Sequence, residues 1–264
     1  MQAARIQGIH LHYLATGAED APALVFSNSL GTDFRIWQAL LPRLAGDLRI
    51  VLYDKRGHGL SDTPPAPYRL DDHVADLIGL LDHLDVGQAI VCGLSVGGLI
   101  AQGLAARQPE RVRALVLCDT AQKIGNDELW NGRIETGRRD GIEALADGIL
   151  ERWFSARFRA ERAAEVRLWR NMLVRTPPDG YLGTCAAIRD TDYTKSSAEI
   201  RVPTLALAGS EDGATPPSVV RGLAELIPGA RFREIPESGH LPCIDAPDVL
   251  AKVMNDFFAE HGLV

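Results

Sequence analysis

One serine stands between glycines in "IVCGLSVGGLIAQGLAA" (90–106), in the arrangement Gly93-Leu94-Ser95-Val96-Gly97. An apolar run precedes it and a helical-looking segment follows, so Ser95 falls at a strand-to-helix turn that has no need of a serine. Strain in such a turn lifts the hydroxyl clear of the surface, and the two limbs nearly touch, which demands small residues at Gly93 and Gly97. The following helix adds its N-terminal dipole and free N–H groups beside the oxygen. A serine hydroxyl is a weak nucleophile at neutral pH, and it needs a base held in place by an acid.

In this strand–turn–helix arrangement the acid and then the histidine follow the serine along the chain. "LALAGSEDGATPP" (205–217) carries two acids, Glu211 and Asp212, just beyond a strand-like run. "IPESGHLPCIDAP" (235–247) carries His240 after the next run, with Gly239 freeing the backbone before it. Asp212 also reads as a turn cap. His10, His12, His73, His83 and His261 lie in strand-like, helical or tail positions and read as structural. His58 in "DKRGHGLSD" (54–62) competes with His240 as the base, but it precedes the serine and sits in a tight glycine-flanked loop. Attack on an ester creates an oxyanion, for which the Val96 N–H, directly after the serine, is one donor.

The elements that must position these groups are visible as short apolar runs. They are "ALVFSN" (23–28), "LRIVLYD" (48–54), "QAIVCGL" (88–94), "VRALVLCD" (112–119), "VPTLALAG" (202–209) and "ARFREIP" (230–236). Runs apolar on both sides fit a mostly parallel sheet covered on both faces. Helical segments alternate with them: in "LDDHVADLIGLLDHL" (70–84), Val74, Leu77, Ile78, Leu81 and Leu84 share one face. Strand alternating with helix is the pattern of an α/β fold. Gly8 marks an N-terminal hairpin turn. The alternation lapses after about residue 121, where helical periodicity and three of the four tryptophans (Trp130, Trp153, Trp169) appear, and it resumes near 198. The expected organisation is therefore a core of residues 1–121 and 198–264 with a helical cap inserted at 122–197.

Composition narrows the classes of function. With 46% hydrophobic and 24% charged residues, the 264-residue chain is an ordinary globular protein. A net charge of −7 disfavours nucleic acid as a partner and leaves a small molecule as the expected one. No stretch approaches the ~18–20 apolar residues that span a bilayer, and the first residues do not read as a secretory signal. Four cysteines (Cys92, Cys118, Cys185, Cys243) lie far apart without metal-type spacing, which points to reduced thiols, a cytoplasmic setting and no metal.

Taken together, "DKRGHGLSDTP", "CGLSVGG", "GSEDGATPP" and "SGHLPCIDAP" resemble the corresponding loops of the α/β-hydrolase family over essentially the whole chain. The resemblance implies an α/β-hydrolase fold, with an eight-stranded, mostly parallel sheet flanked by helices and carrying a helical cap. It implies Ser95, Asp212 and His240 as the catalytic triad, with Asp212 rather than Glu211 as the acid. The second oxyanion donor it implies is the backbone N–H of Leu30, after the pair in "NSLGTD" (28–33) that replaces the usual His-Gly. No cofactor is implied.

"NSLGTDFRIWQ", "CGLSVGGLIAQGLA" and "LCDTAQKIG" further resemble the 3-oxoadipate enol-lactonase subfamily of aromatic catabolism, although Val96 stands where many of its members carry methionine. That implies a small anionic lactone as substrate. Its carboxylate calls for a cation, and "DELWNGRIETGRRDG" (127–141) offers Trp130 and Arg133 three residues apart on one helix face. Other serine hydrolases of the same fold (carboxylesterase, carbon–carbon bond hydrolase, perhydrolase) are the alternative reading, and a ligand receptor with little turnover is a third.

Overall fold

The computed structural model describes residues 1–264. Eight strands form one sheet: β1 (Gln2–Ile6), β2 (Ile9–Thr16), β3 (Ala23–Ser27), β4 (Arg49–Tyr53), β5 (Ala89–Leu94), β6 (Val112–Cys118), β7 (Thr204–Gly209) and β8 (Arg231–Ile235). Their order across the sheet is β1-β2-β4-β3-β5-β6-β7-β8. The β1–β2 and β2–β4 pairs are antiparallel, and every pair from β3–β4 onward is parallel. The hairpin between β1 and β2 turns on Gln7 and Gly8, both with positive φ, the backbone that matches the twist of its strands.

Strands β3, β5 and β7 are buried along their whole length because helices cover both faces. The helices that alternate with the strands are α1 (Leu70–His83) and α2 (Val96–Arg107). Between β6 and β7 the chain makes six more: α3 (Asp127–Asp140), α4 (Glu143–Trp153), α5 (Ala156–Glu161), α6 (Ala163–Val174), α7 (Pro178–Arg189) and α8 (Thr194–Ser197). Three follow: α9 (Pro217–Leu226), α10 (Pro242–Asp245) and α11 (Pro247–Glu260). Prolines at 177 and 178 separate α6 from α7, with Pro178 at the first helical position, where its missing N–H costs nothing.

The helices between β6 and β7 have no core of their own. One continuous cluster of 71 buried residues joins Trp130, Ile149, Trp153, Phe154, Leu173 and Tyr181 from these helices to the apolar side chains of the sheet. No helix is long and apolar enough to cross a membrane.

A buried ion pair ties α1 to the loop after β4. Arg56 Nε and Nη2 donate to the two Asp76 carboxylate oxygens at 2.6 and 2.7 Å, a bidentate geometry away from water. Removing one partner strands the other charge in the interior. Asp76→Ala should therefore lower stability by about 3 kcal/mol in urea unfolding. The double variant Arg56→Met/Asp76→Leu should recover much of that loss, and a double variant as unstable as the single one would contradict this account.

Candidate active site

Ser95 is the only residue between the end of β5 and the start of α2. Its backbone has φ 58° and ψ −119°, a left-handed conformation that disfavours any side chain. Close packing enforces it. A Cβ on Gly93 would lie 2.2 Å from the Gly97 carbonyl oxygen, and one on Gly97 would lie 2.0 Å from that of Ser27. The end of β6 holds the strained residue: Ser95 N–H donates to the Cys118 carbonyl at 2.9 Å, and Thr120 Oγ1 donates to the Ser95 carbonyl at 2.7 Å.

Asp212 lies just after β7 and His240 after β8. Asp212 Oδ2 meets His240 Nδ1 at 2.8 Å and accepts from Thr215 Oγ1 at 2.7 Å. Its other oxygen, Oδ1, accepts from the N–H groups of Ala214 and Thr215. Burial alone would raise this carboxyl, but the neighbouring His240 and these hydrogen bonds outweigh it and hold Asp212 down to about 2. With Nδ1 on the acid, Nε2 is the ring nitrogen left for chemistry. The His240 N–H donates to the Trp153 carbonyl at 2.8 Å, so the inserted helices also fix this loop.

Ser95 and His240 line one cavity of about 170 Å³, together with Ser29, Leu30, Trp130, Arg133, Arg152, Trp153 and Tyr181. The Leu30 N–H donates to no group of the protein. Val96 is the first residue of α2, where an N–H has no acceptor within its helix. Both sequence-derived contact residues reach the cavity: Trp130 is anchored by its indole N–H to the Ile124 carbonyl at 2.6 Å, and the Arg133 guanidinium lies 4.9 Å from the Trp130 ring centre. Glu211 is exposed and stands apart from the imidazole's partners. His58 is buried, with Nε2 accepting the Gly31 N–H at 3.0 Å and Nδ1 on the Arg56 carbonyl, so its ring nitrogens are committed to backbone. A separate hollow of about 370 Å³, lined by His12, Asp33, Arg35, Asp54 and Arg175 among others, contains none of Ser95, Asp212 and His240.

Sequence reasoning missed two residues. Arg152, on α4, enters the cavity beside Arg133, and none of the lining residues is an acid. Burial lowers its pKa, and the neighbouring charge of Arg133 lowers it further. Nothing local in "ILERWF" distinguishes this arginine from a solvated one. Asp119, at the end of β6 in "LCDT", is completely buried, with a ligand atom within 4.8 Å of those of Asp212 and His240. Its Oδ1 accepts from Gly209 N–H at 2.8 Å, and Oδ2 has no partner. Burial first, then the charge of Asp212, push its carboxyl well above the usual range.

The chain matches the model of the α/β hydrolase fold family over residues 22–247 and belongs to that family. It is 36% identical to 3-oxoadipate enol-lactonase 2 of Acinetobacter baylyi over 91% of this chain and 90% of that protein. Identity to 3-oxoadipate enol-lactonase 1 of the same organism is 34%, over 95% of this chain and 94% of that one. Among solved structures, the enol-lactonase from Burkholderia xenovorans LB400 superimposes with a TM-score of 0.94 at 38% identity, covering 98% of this chain and all of that one. The protein is thus a hydrolase of this family, similar over nearly its whole length to enol-lactonases.

The raised Asp119 carboxyl sets a pH dependence. The unfolded chain ionises Asp119 at a lower pH than the folded chain does, so this group opposes folding increasingly as pH rises above the ordinary carboxylate range. Asp119→Asn keeps the acceptor for Gly209 and removes the ionisation. It should stabilise the protein more at pH 7 than at pH 4 in urea unfolding, and an equal change at both values would refute a raised Asp119 carboxyl.

Proposed function

We propose that this hydrolase opens 3-oxoadipate enol-lactone with water to give 3-oxoadipate, a step of aromatic catabolism. The observation that carries the reading is the pair Arg133 and Arg152 in a cavity with no acid of its own, alongside Ser95 and His240. Two cations without a carboxylate partner suit a substrate that brings its own. In a chain of net charge −7 they supply the local attraction that the overall field denies an anion. The enol-lactonases at 36% and 34% identity support the same substrate.

In this mechanism Ser95 Oγ attacks the lactone carbonyl while His240 Nε2 takes its proton. Asp212, ionised and bound to Nδ1–H, holds the ring and stabilises the imidazolium that forms. The Leu30 and Val96 N–H groups receive the oxyanion. Collapse breaks the ring C–O bond and releases an enol oxygen, which takes the proton from His240. The enol then tautomerises to a ketone, which removes the alcohol that could re-close the ring. Water, deprotonated by His240, attacks the acyl-enzyme; the bond from the acyl carbon to Ser95 Oγ breaks, His240 returns the proton to Oγ, and the second carboxylate leaves. These steps use only side chains, backbone N–H groups and water. Trp130, Trp153 and Tyr181 wall the cavity and limit the size of the ring that enters.

Loss of the enol-lactone's ultraviolet absorbance tests the reading. Ser95→Ala should lower kcat by about 10⁴-fold or more. An inert wild type would overturn the lactone assignment, and an active Ser95→Ala would overturn the nucleophile. Arg133→Ala and Arg152→Ala should each raise KM for the lactone about tenfold or more, the loss of one charge-assisted hydrogen bond. Turnover of p-nitrophenyl acetate, which has no carboxylate, should change little in either variant.

A further inference from the structure

We propose that Lys55 is a positioning residue for the oxyanion hole: its Nζ holds the Ser29 carbonyl and so aims the N–H of the same peptide, that of Leu30, into the catalytic cavity. The inference rests on the serine-hydrolase reading above and adds a residue that reading does not use.

Lys55 follows β4 and is only 1% exposed, an unusual place for a lysine. Its Nζ donates to the Ser29 carbonyl at 2.5 Å and to the Thr32 carbonyl at 3.3 Å. Strands β3 and β4 are parallel neighbours, so the loops leaving their C-terminal ends lie side by side and Lys55 crosses from one to the other. The Ser29–Leu30 peptide is trans. Its C=O and N–H therefore point to opposite sides of one rigid plane, and fixing the first aims the second. Ser29 and Leu30 line the cavity of Ser95 and His240, whereas Lys55 does not. The amine thus grips the peptide from behind the wall of the site.

Three more contacts complete the grip. Thr32 donates to the same Ser29 carbonyl through its N–H at 3.3 Å and its Oγ1 at 2.9 Å. His58 Nε2 accepts the Gly31 N–H, the next amide along, and draws it away from the cavity. Of these amides, Leu30 alone is left without an acceptor in the protein. A donor aimed in advance at a developing oxyanion costs no reorganisation at the moment of reaction. Donors converging on the carbonyl also polarise the peptide and strengthen its N–H. Burial lowers Lys55 to about 7, against the pull of Asp54 and Asp33. Charged or neutral, the amine still has a hydrogen to donate.

The test uses Lys55→Met, which keeps the apolar stem and removes the donor, and Lys55→Gln, which keeps a donor. Both are assayed on p-nitrophenyl acetate and on the enol-lactone, with folding checked by thermal melting. Lys55→Met should lose about tenfold or more in kcat on every ester that wild type hydrolyses, with KM nearly unchanged, and Lys55→Gln should recover part of the loss. Affinity for phenylboronic acid, whose tetrahedral serine adduct places an oxygen in the hole, should fall in parallel with kcat. A folded Lys55→Met within about twofold of wild-type kcat overturns the proposal, and so does a folded Lys55→Gln no more active than Lys55→Met. So does a variant that loses KM and kcat together while keeping its boronate affinity. Wild type inert on both esters would instead refute the hydrolase reading, and wild type active on p-nitrophenyl acetate alone would refute only the lactone.

Discussion

The site depends on one backbone conformation, that of Ser95 at φ 58°. A side chain there costs on the order of 1–3 kcal/mol, and the surrounding fold must over-determine it. It does so through the near contact of Gly93 with Gly97, the approach of Gly97 to Ser27, and the hydrogen bonds from Ser95 N–H to Cys118 and from Thr120 to the Ser95 carbonyl. Three adjacent strands, β3, β5 and β6, therefore converge on a single residue. Relaxing the turn would turn Ser95 away from the cavity it shares with His240.

Around that residue the fold sorts charges that would otherwise conflict. Asp119 and Asp212 lie close together and both are buried, yet their environments drive them apart. Asp212 has an imidazole and three donors that hold its carboxyl down, whereas Asp119 has one N–H and an orphaned oxygen, and burial pushes its carboxyl up. Two ionised carboxylates so close would repel and leave the imidazole with two competing anchors. Similar sorting acts across the cavity. Arg133 and Arg152 face it without acids, while the acidic residues that give the chain its net charge of −7 lie elsewhere.

Much of this was legible in the linear chain. Ser95, Asp212 and His240 stand in strand-end loops, and the structure brings Asp212 and His240 into contact and Ser95 and His240 into one cavity. The strands from "ALVFSN" to "ARFREIP" form where their apolar runs occur, because a strand buried on both faces has little choice of composition. Trp130 and Arg133 reach the cavity from one turn of α3, as their spacing suggests. Arg152, Asp119 and Lys55 were not legible, although each is an ordinary letter in its segment. Lys55 in "DKRGHG" has the look of a solvated loop charge, yet it is among the largest fully buried side chains.

The sequence by itself determined the periodicities, the turn chemistry and the reactive residue types, since these act over a few neighbouring positions. Tertiary structure alone decided what each buried polar group faces. The partner of Lys55 is 26 positions away, that of Arg56 is 20 and that of Asp119 is 90. Burial and charge act through space, so a lysine comes to hold a peptide carbonyl and an aspartate's carboxyl is pushed up only once distant strands are laid side by side.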